Sequence, residues 1–260
     1  MRKDSPLLAA LSTPLEEWWS RDLQPVDVAV IDSGVDAGHP DLAGRVVRAA
    51  KVVMDDGKPV VEEGTTDTNN DAFGHGTGVA GIIARLAPNA RIHDIRVLGS
   101  DNRGTAAGAI RGIEEAVTGR LKVINLSLAL NKSFNEQVRP ICEVAWRQEQ
   151  VVVAAKRNVP IEQIGIGTPA EFASSISVDM GKVEGLKSFV YQPGKIIAFA
   201  ALGDHTSVPA PGGGYTSSMG SSFATPVVSA ICAVMLGAFP GLLPFEVRSV
   251  LRHHVTDVVV

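Results

Sequence analysis

Three short stretches carry side chains able to do covalent chemistry. Asp32 closes the apolar run Val28-Ala29-Val30-Ile31 and is followed by Ser33-Gly34. His75 lies in Gly74-His75-Gly76-Thr77-Gly78. Ser222 lies in Gly220-Ser221-Ser222-Phe223-Ala224-Thr225-Pro226, ahead of a long apolar segment. Each has an ordinary structural explanation when taken alone. An Asp after a buried strand caps a helix or binds a metal, a His among glycines marks a turn, and a serine before a helix is an N-cap. Together they are the three parts of acyl transfer: nucleophile, base and orienting carboxylate. A serine hydroxyl is a poor nucleophile at neutral pH and needs a base within hydrogen-bond reach. Neutral imidazole has a suitable pKa, and a carboxylate fixes its tautomer and stabilises the imidazolium. A serine at a helix start also gains from unpaired N–H groups and the positive end of the helix dipole.

These residues need elements that bring them to one edge. Strand-like apolar runs cover 27–31, 45–53, 91–97, 121–126, 151–155, 176–178 and 195–200. Several are continuous Val/Ile runs rather than alternating ones, the pattern of strands covered on both faces. Helix-like segments lie between them at 105–118, 134–148, 222–239 and 244–254. Pro140 falls inside the second of these, which predicts a fresh start or a kink there. The third is apolar nearly all round and predicts a buried central helix. The alternation predicts one α/β domain over 1–260, with a doubly wound, mainly parallel sheet and helices on both faces. Residues 1–25, with Trp18 and Trp19, are expected to form a helical extension packed on it. In such a sheet chemistry collects at the carboxyl ends of the strands.

Composition removes other classes. Apolar residues are 45% and charged residues 20%, an ordinary globular balance. Lys plus Arg is 24 and Asp plus Glu is 28, a net charge of −4 with no basic block, which argues against nucleic acid and anionic membranes as partners. The most apolar stretch, 226–239, is shorter than the roughly 20 residues of a membrane span. The N-terminal apolar run is too short for a secretory signal, so a cytoplasmic location is expected. Cys142 and Cys232 lie in apolar, helix-like stretches and read as buried thiols.

The strings AVIDSGVDAGHPDL, GHGTGVAGIIA and GSSFATPVVSA, in the order Asp, His, Ser, resemble the subtilisin-like serine proteases. The likeness runs from about Val26 to about His254 and includes LKVINLSLAL and VVVAAKRN. It implies a subtilisin-like fold and a serine endopeptidase working through an acyl-enzyme. Asp32 would orient, His75 would be the base and Ser222 the nucleophile, with Ser221 where the family usually has Thr. It also implies an oxyanion site made by the Asn158 side chain and the Ser222 backbone N–H. On residues alone, Asn158 reads as a turn-forming Asn after a strand. Ser127, Leu128, Ala129 and Leu130 match the substrate-binding strand, and Asp101-Asn102-Arg103-Gly104 looks like its opposing edge. An extended peptide would lie between them as an added strand.

The departures carry expectations too. Gly78 replaces a second His of the family string, outside the triad. Ala129 and Leu130 stand where the family has two glycines, which predicts a narrowed pocket and restricted specificity. Lys156 and Arg157 replace small residues before Asn158, and Val159-Pro160 stiffen the loop after it. The family's calcium insertion after the catalytic His is missing, so no cofactor is expected. A weaker calcium candidate is Asp67, Asn69 and Asp71, whose preferred reading is a solvated loop. Asp55, Asp56, Glu62 and Glu63 read as solvated turns, His39 as structural, His93 as a strand residue, and His205, His253 and His254 as exposed. The partner expected is a peptide or protein substrate, with restraint of the enzyme by a regulatory protein partner or by narrow specificity. The rivals are a transpeptidase or macrocyclase using the same acyl-enzyme, and a catalytically retired peptide-binding module.

Overall fold

The apolar run ending at Asp32 forms β1 (Val26–Asp32), an inner strand of a ten-stranded sheet. The computed structural model describes residues 5–158, 165–255 and 257–258, so Val159-Pro160 lie outside the described residues. β4 (Ala90–Arg96) and then β2 (Val46–Asp55) lie on one side of β1. On the other side follow β5 (Val123–Leu126), β6 (Val151–Ala155), β7 (Ser175–Gly181) and β9 (Phe199–Leu202). All of these are mutually parallel. β3 (Lys58–Glu63) and β8 (Phe189–Tyr191) join antiparallel toward the two edges, and β12 (Asp257–Val258) pairs with β8. A separate hairpin is made by β10 (Asp204–Ala210) and β11 (Gly214–Met219).

Burial on both faces explains the continuous apolar runs. Val28 and Val30 of β1 face one core and Ala29 and Ile31 the other. Val151 and Val153 against Val152 and Ala154 repeat this in β6. The first core is covered by α2 (His75–Leu86) and α5 (Ser221–Ala238), the second by α3 (Ala106–Thr118) and α4 (Asn135–Arg147). By length and composition α5 would suit a membrane, yet 94% of it is buried inside the domain, so it is the core helix. Cys142 and Cys232 are both buried free thiols, and burial pushes each up to about 12.

Several expectations need correction. α4 starts at Asn135 and continues across Pro140, so the helix does not start afresh there. Pro140 and Glu136 are exposed, so the Glu136 carbonyl that loses its helical donor faces water. The run 195–200 is a strand only from Phe199; Ile196 is exposed and Gln192 turns back to bond Ala198 O. Asp56 does lie in a turn, but Asp55 ends β2, and Glu62 and Glu63 lie on β3 and pair with Lys51 and Arg48. His205 is buried rather than exposed. Its Nε2 reaches Leu202 O at 3.0 Å and Phe223 O at 3.2 Å, and burial lowers its pKa. His254 is half-buried and donates from Nε2 to Ala10 O at 2.8 Å.

The N-terminal segment folds as α1 (Pro6–Ser12) and a 3₁₀ turn over Leu15–Ser20. Trp18 is fully buried, edge-on to Phe239 and His254, and its indole N–H bonds Thr13 O. Trp18→Ala is therefore expected to cost about 3–5 kcal/mol in denaturant unfolding. A loss below about 1 kcal/mol would mean that the segment packs loosely on α5 and α6 (Pro244–His253).

Candidate active site

Strand order reverses at β1. The connection leaving β1 runs to β2 on one side and that leaving its neighbour β5 runs to β6 on the other, which opens a crevice at their carboxyl ends. Asp32 stands at the carboxyl end of β1 and is fully buried. Its Oδ1 accepts from Ser33 N at 2.7 Å and lies 2.8 Å from His75 Nδ1. His75 is the first residue of α2, and its Nε2 lies 3.0 Å from Ser222 Oγ. Ser222 is the second residue of α5 and keeps 9% of its surface exposed. The three residues thus form one hydrogen-bonded chain from a buried carboxylate to an accessible hydroxyl.

Local sequence explains each placement. Gly76 lets α2 start against the turn after Asp32, because a Cβ there would lie 2.1 Å from Gly34 O. Gly220 has φ +138°, a backbone that side chains disfavour, and a Cβ on it would crowd Asn158 Nδ2 at 3.0 Å. Pro226 has no N–H, so the carbonyl of Ser222, four residues earlier, lacks a helical donor. Ser127 Oγ fills that role at 2.7 Å. One hydroxyl thereby ties the segment after β5 to the helix that carries Ser222.

Asn158 follows β6. Its Oδ1 accepts from Ser221 N at 3.1 Å and Ser221 Oγ at 2.8 Å, which orients the amide and leaves Nδ2 as its donor end. The Ser222 N–H has no acceptor among the described residues. Lys156 is drawn aside by Asp179 at 2.8 Å, and Arg157 donates to Leu130 O at 2.6 Å. His75, Ser222, Asn158, Gly104, Ser127, Leu128 and Ala129 all line one cleft of about 720 Å³. Asp32 is not among the lining residues and meets the cleft only through His75.

The chain matches the subtilase family over residues 24–259. It belongs to that family. This subtilase is 33% identical to subtilisin DY of Bacillus licheniformis over 252 residues, 89% of its own chain and 84% of that protein. Thermitase of Thermoactinomyces vulgaris is 33% identical over 218 residues, 80% of this chain and 74% of that protein. Subtilisin E of Bacillus subtilis (strain 168) is 31% identical over 242 residues, 89% of this chain but 60% of that protein. Among solved structures, sphericase superposes with a TM-score of 0.68 at 22% identity, over 88% of this chain and 82% of that one, a likeness of fold. Family and named relatives make the subtilase a serine endopeptidase, a hydrolase.

The subtilase's site has supports that reading the sequence missed. Asp71, expected in a solvated loop, binds donors from two elements. Its Oδ1 takes Ser33 Oγ (2.8 Å), Phe73 N (2.9 Å) and Gly74 N (2.7 Å); its Oδ2 takes Thr77 N (2.9 Å) and Thr77 Oγ1 (2.5 Å). It thus caps α2 in place of the side-chain-free Gly74. Ser33 Oγ also accepts from Gly76 N at 3.0 Å, so the Asp32 turn and the His75 helix are locked together. Asp67 is exposed, and Asn69 Oδ1 accepts from Asp71 N at 2.7 Å. An Asp a few residues before a helix that lacks its own cap was the legible signal for Asp71.

Opposing influences act on His75. Burial opposes protonation of His75 most strongly, but the charge and hydrogen bond of Asp32, with the charge of Asp71, outweigh it and raise its pKa. Asp94 sits behind, almost fully buried, and burial raises its carboxyl to about 8. Its Oδ2 accepts from Val35 N (3.1 Å) and Asn70 Nδ2 (2.6 Å), which fixes the loop beyond Asp32.

Proposed function

We propose that the subtilase hydrolyses peptide bonds through an acyl-enzyme on Ser222, and the observation carrying this is the continuous Asp32–His75–Ser222 chain at 2.8 and 3.0 Å. Ser222 Oγ attacks the scissile carbonyl carbon while His75 Nε2 takes its proton. Asp32 accepts from Nδ1–H, holding the tautomer in which Nε2 is free to accept, and stabilises the imidazolium. The oxyanion is held by Asn158 Nδ2 and the Ser222 N–H. The C–N bond then breaks as His75 returns the proton to the leaving amine. Water attacks the acyl-enzyme by the same route and releases the acid. The substrate lies extended between Gly104 and the segment Ser127–Ala129, which flank the cleft. Bulk at Ala129 and Leu130 supports restricted specificity.

Asn158→Leu keeps the volume and removes the donor. It is expected to lower kcat about 10²–10³-fold with little change in KM, the size of effect known for the oxyanion Asn of a subtilisin in this same family. A loss confined to KM would remove Asn158 from the oxyanion role. The choice of acceptor is tested by incubating the enzyme and a quenched peptide with an added amino-acid amide. Hydrolysis predicts the free acid as the main product by mass spectrometry. A predominantly ligated product would instead assign transpeptidation.

A further inference from the structure

The cleft beside Ser222 has an uneven charge. Arg103, Lys156 and Arg157 line it, and among its described lining residues none is acidic, although the chain as a whole carries −4. The three cations differ in what they have left to offer. Lys156 is paired with Asp179. Arg103 is exposed on the far edge, next to Asp101, whose Oδ1 caps the Arg103 backbone N–H. Arg157 is half-buried and makes no ion pair with a described residue. Its Nη2 is pinned to Leu130 O at 2.6 Å, while its Nε is buried without an acceptor.

The position of Arg157 gives this charge a consequence. The guanidinium stem crosses between Leu130 and Gly167, where a Cβ on Gly167 would lie 3.5 Å from Arg157 Cβ and 2.8 Å from Ala129 Cβ. It therefore builds the same wall as Ala129 and Leu130; with the scissile carbonyl at Ser222 Oγ and the peptide extended along Ser127–Ala129, the side chain before the cleaved bond is the one that meets this wall. An apolar side chain there would desolvate a guanidinium with donors to spare, which is costly. A lysine or arginine would add repulsion. A carboxylate would take charge-assisted hydrogen bonds from a fork already held in place.

We infer that Arg157 is a specificity-determining residue that selects an acidic side chain, glutamate or aspartate, immediately before the cleaved bond. Arg103 on the opposite edge extends the preference to acidic peptides as a class. This rests on the acyl-enzyme reading above, because it uses the substrate pose which that reading assigns.

The test uses quenched peptides identical except for Glu, Gln, Leu or Lys at the residue before the scissile bond, assayed at pH 7.5. Glu and Gln share a shape, so their ratio reads charge. The wild type is expected to cleave the Glu peptide with a kcat/KM at least about tenfold above the Gln peptide. Arg157→Met is expected to bring that ratio close to one, and Arg157→Lys to retain part of it. A wild-type ratio at or below one, or a preference for Leu or Lys, overturns the inference whether or not the variants fold. An unchanged ratio in folded Arg157→Met overturns it as well. Fluorophosphonate labelling of the same preparation separates the two claims. A labelled enzyme without acidic preference defeats this inference alone, whereas an unlabelled enzyme that cleaves no peptide defeats the acyl-enzyme reading and the inference with it.

Discussion

Ser222→Ala is expected to lower kcat by about 10⁶-fold, the size of loss that removal of the nucleophile causes in a subtilisin of this family. The geometry gives the reason. Ser222 Oγ is the hydroxyl 3.0 Å from His75 Nε2 and lines the cleft. Ser221 Oγ, its neighbour, bonds Lys156 O and Asn158 Oδ1 and so is turned away from the base. It cannot substitute as nucleophile. His75→Ala should cost nearly as much, and the double variant little more, because the two act as one unit. Steady-state kinetics on a chromogenic peptide would check this. A Ser222→Ala enzyme that keeps more than about 1% of wild-type kcat would move the nucleophile elsewhere.

Asp32→Asn is expected to lower kcat by about 10⁴-fold, a magnitude taken from the same Asp-to-Asn change in the triad of a serine protease of unrelated fold. An amide at this position can offer an N–H to His75 Nδ1, which favours the tautomer protonated on Nε2, and that tautomer cannot accept the Ser222 proton. The same substitution has a pH signature. In the wild type kcat/KM should rise with pH as His75 loses its proton, with a midpoint above the ordinary value of about 6.5. Burial alone would depress that midpoint, and Asp32 supplies most of what raises it. The residual activity of Asp32→Asn should therefore rise at lower pH than that of the wild type. A midpoint that stays put or moves upward would show that Asp32 does not set the protonation of His75.

The stretches that proved legible are those in which chemistry and backbone demand coincide. Asp32, His75 and Ser222 each stand beside glycines whose lack of a Cβ the fold requires, so the strings that announce the function also announce the turns. The parallel sheet was legible because strands covered on both faces spell continuous apolar runs, as in Val151–Ala155. What escaped depends on partners distant in sequence. The hairpin of β10 and β11 has little apolar alternation, with GYTSSM mostly exposed on the second strand. His205 gives no local sign that Leu202 and Phe223 will bury it. Asp71 reads as one more loop carboxylate until Ser33 and Thr77 close on it. The charges of Lys156 and Arg157 were legible, but not that Asp179 neutralises the first while the second makes no ion pair with a described residue.

The most direct test of the central claim is fluorophosphonate labelling followed by peptide mapping, on wild type, Ser222→Ala and His75→Ala. An assembled nucleophile predicts one adduct on Ser222 in the wild type and none in either variant. An adduct elsewhere, or full labelling of His75→Ala, would contradict the account, because the first displaces the nucleophile and the second removes the base that activates it.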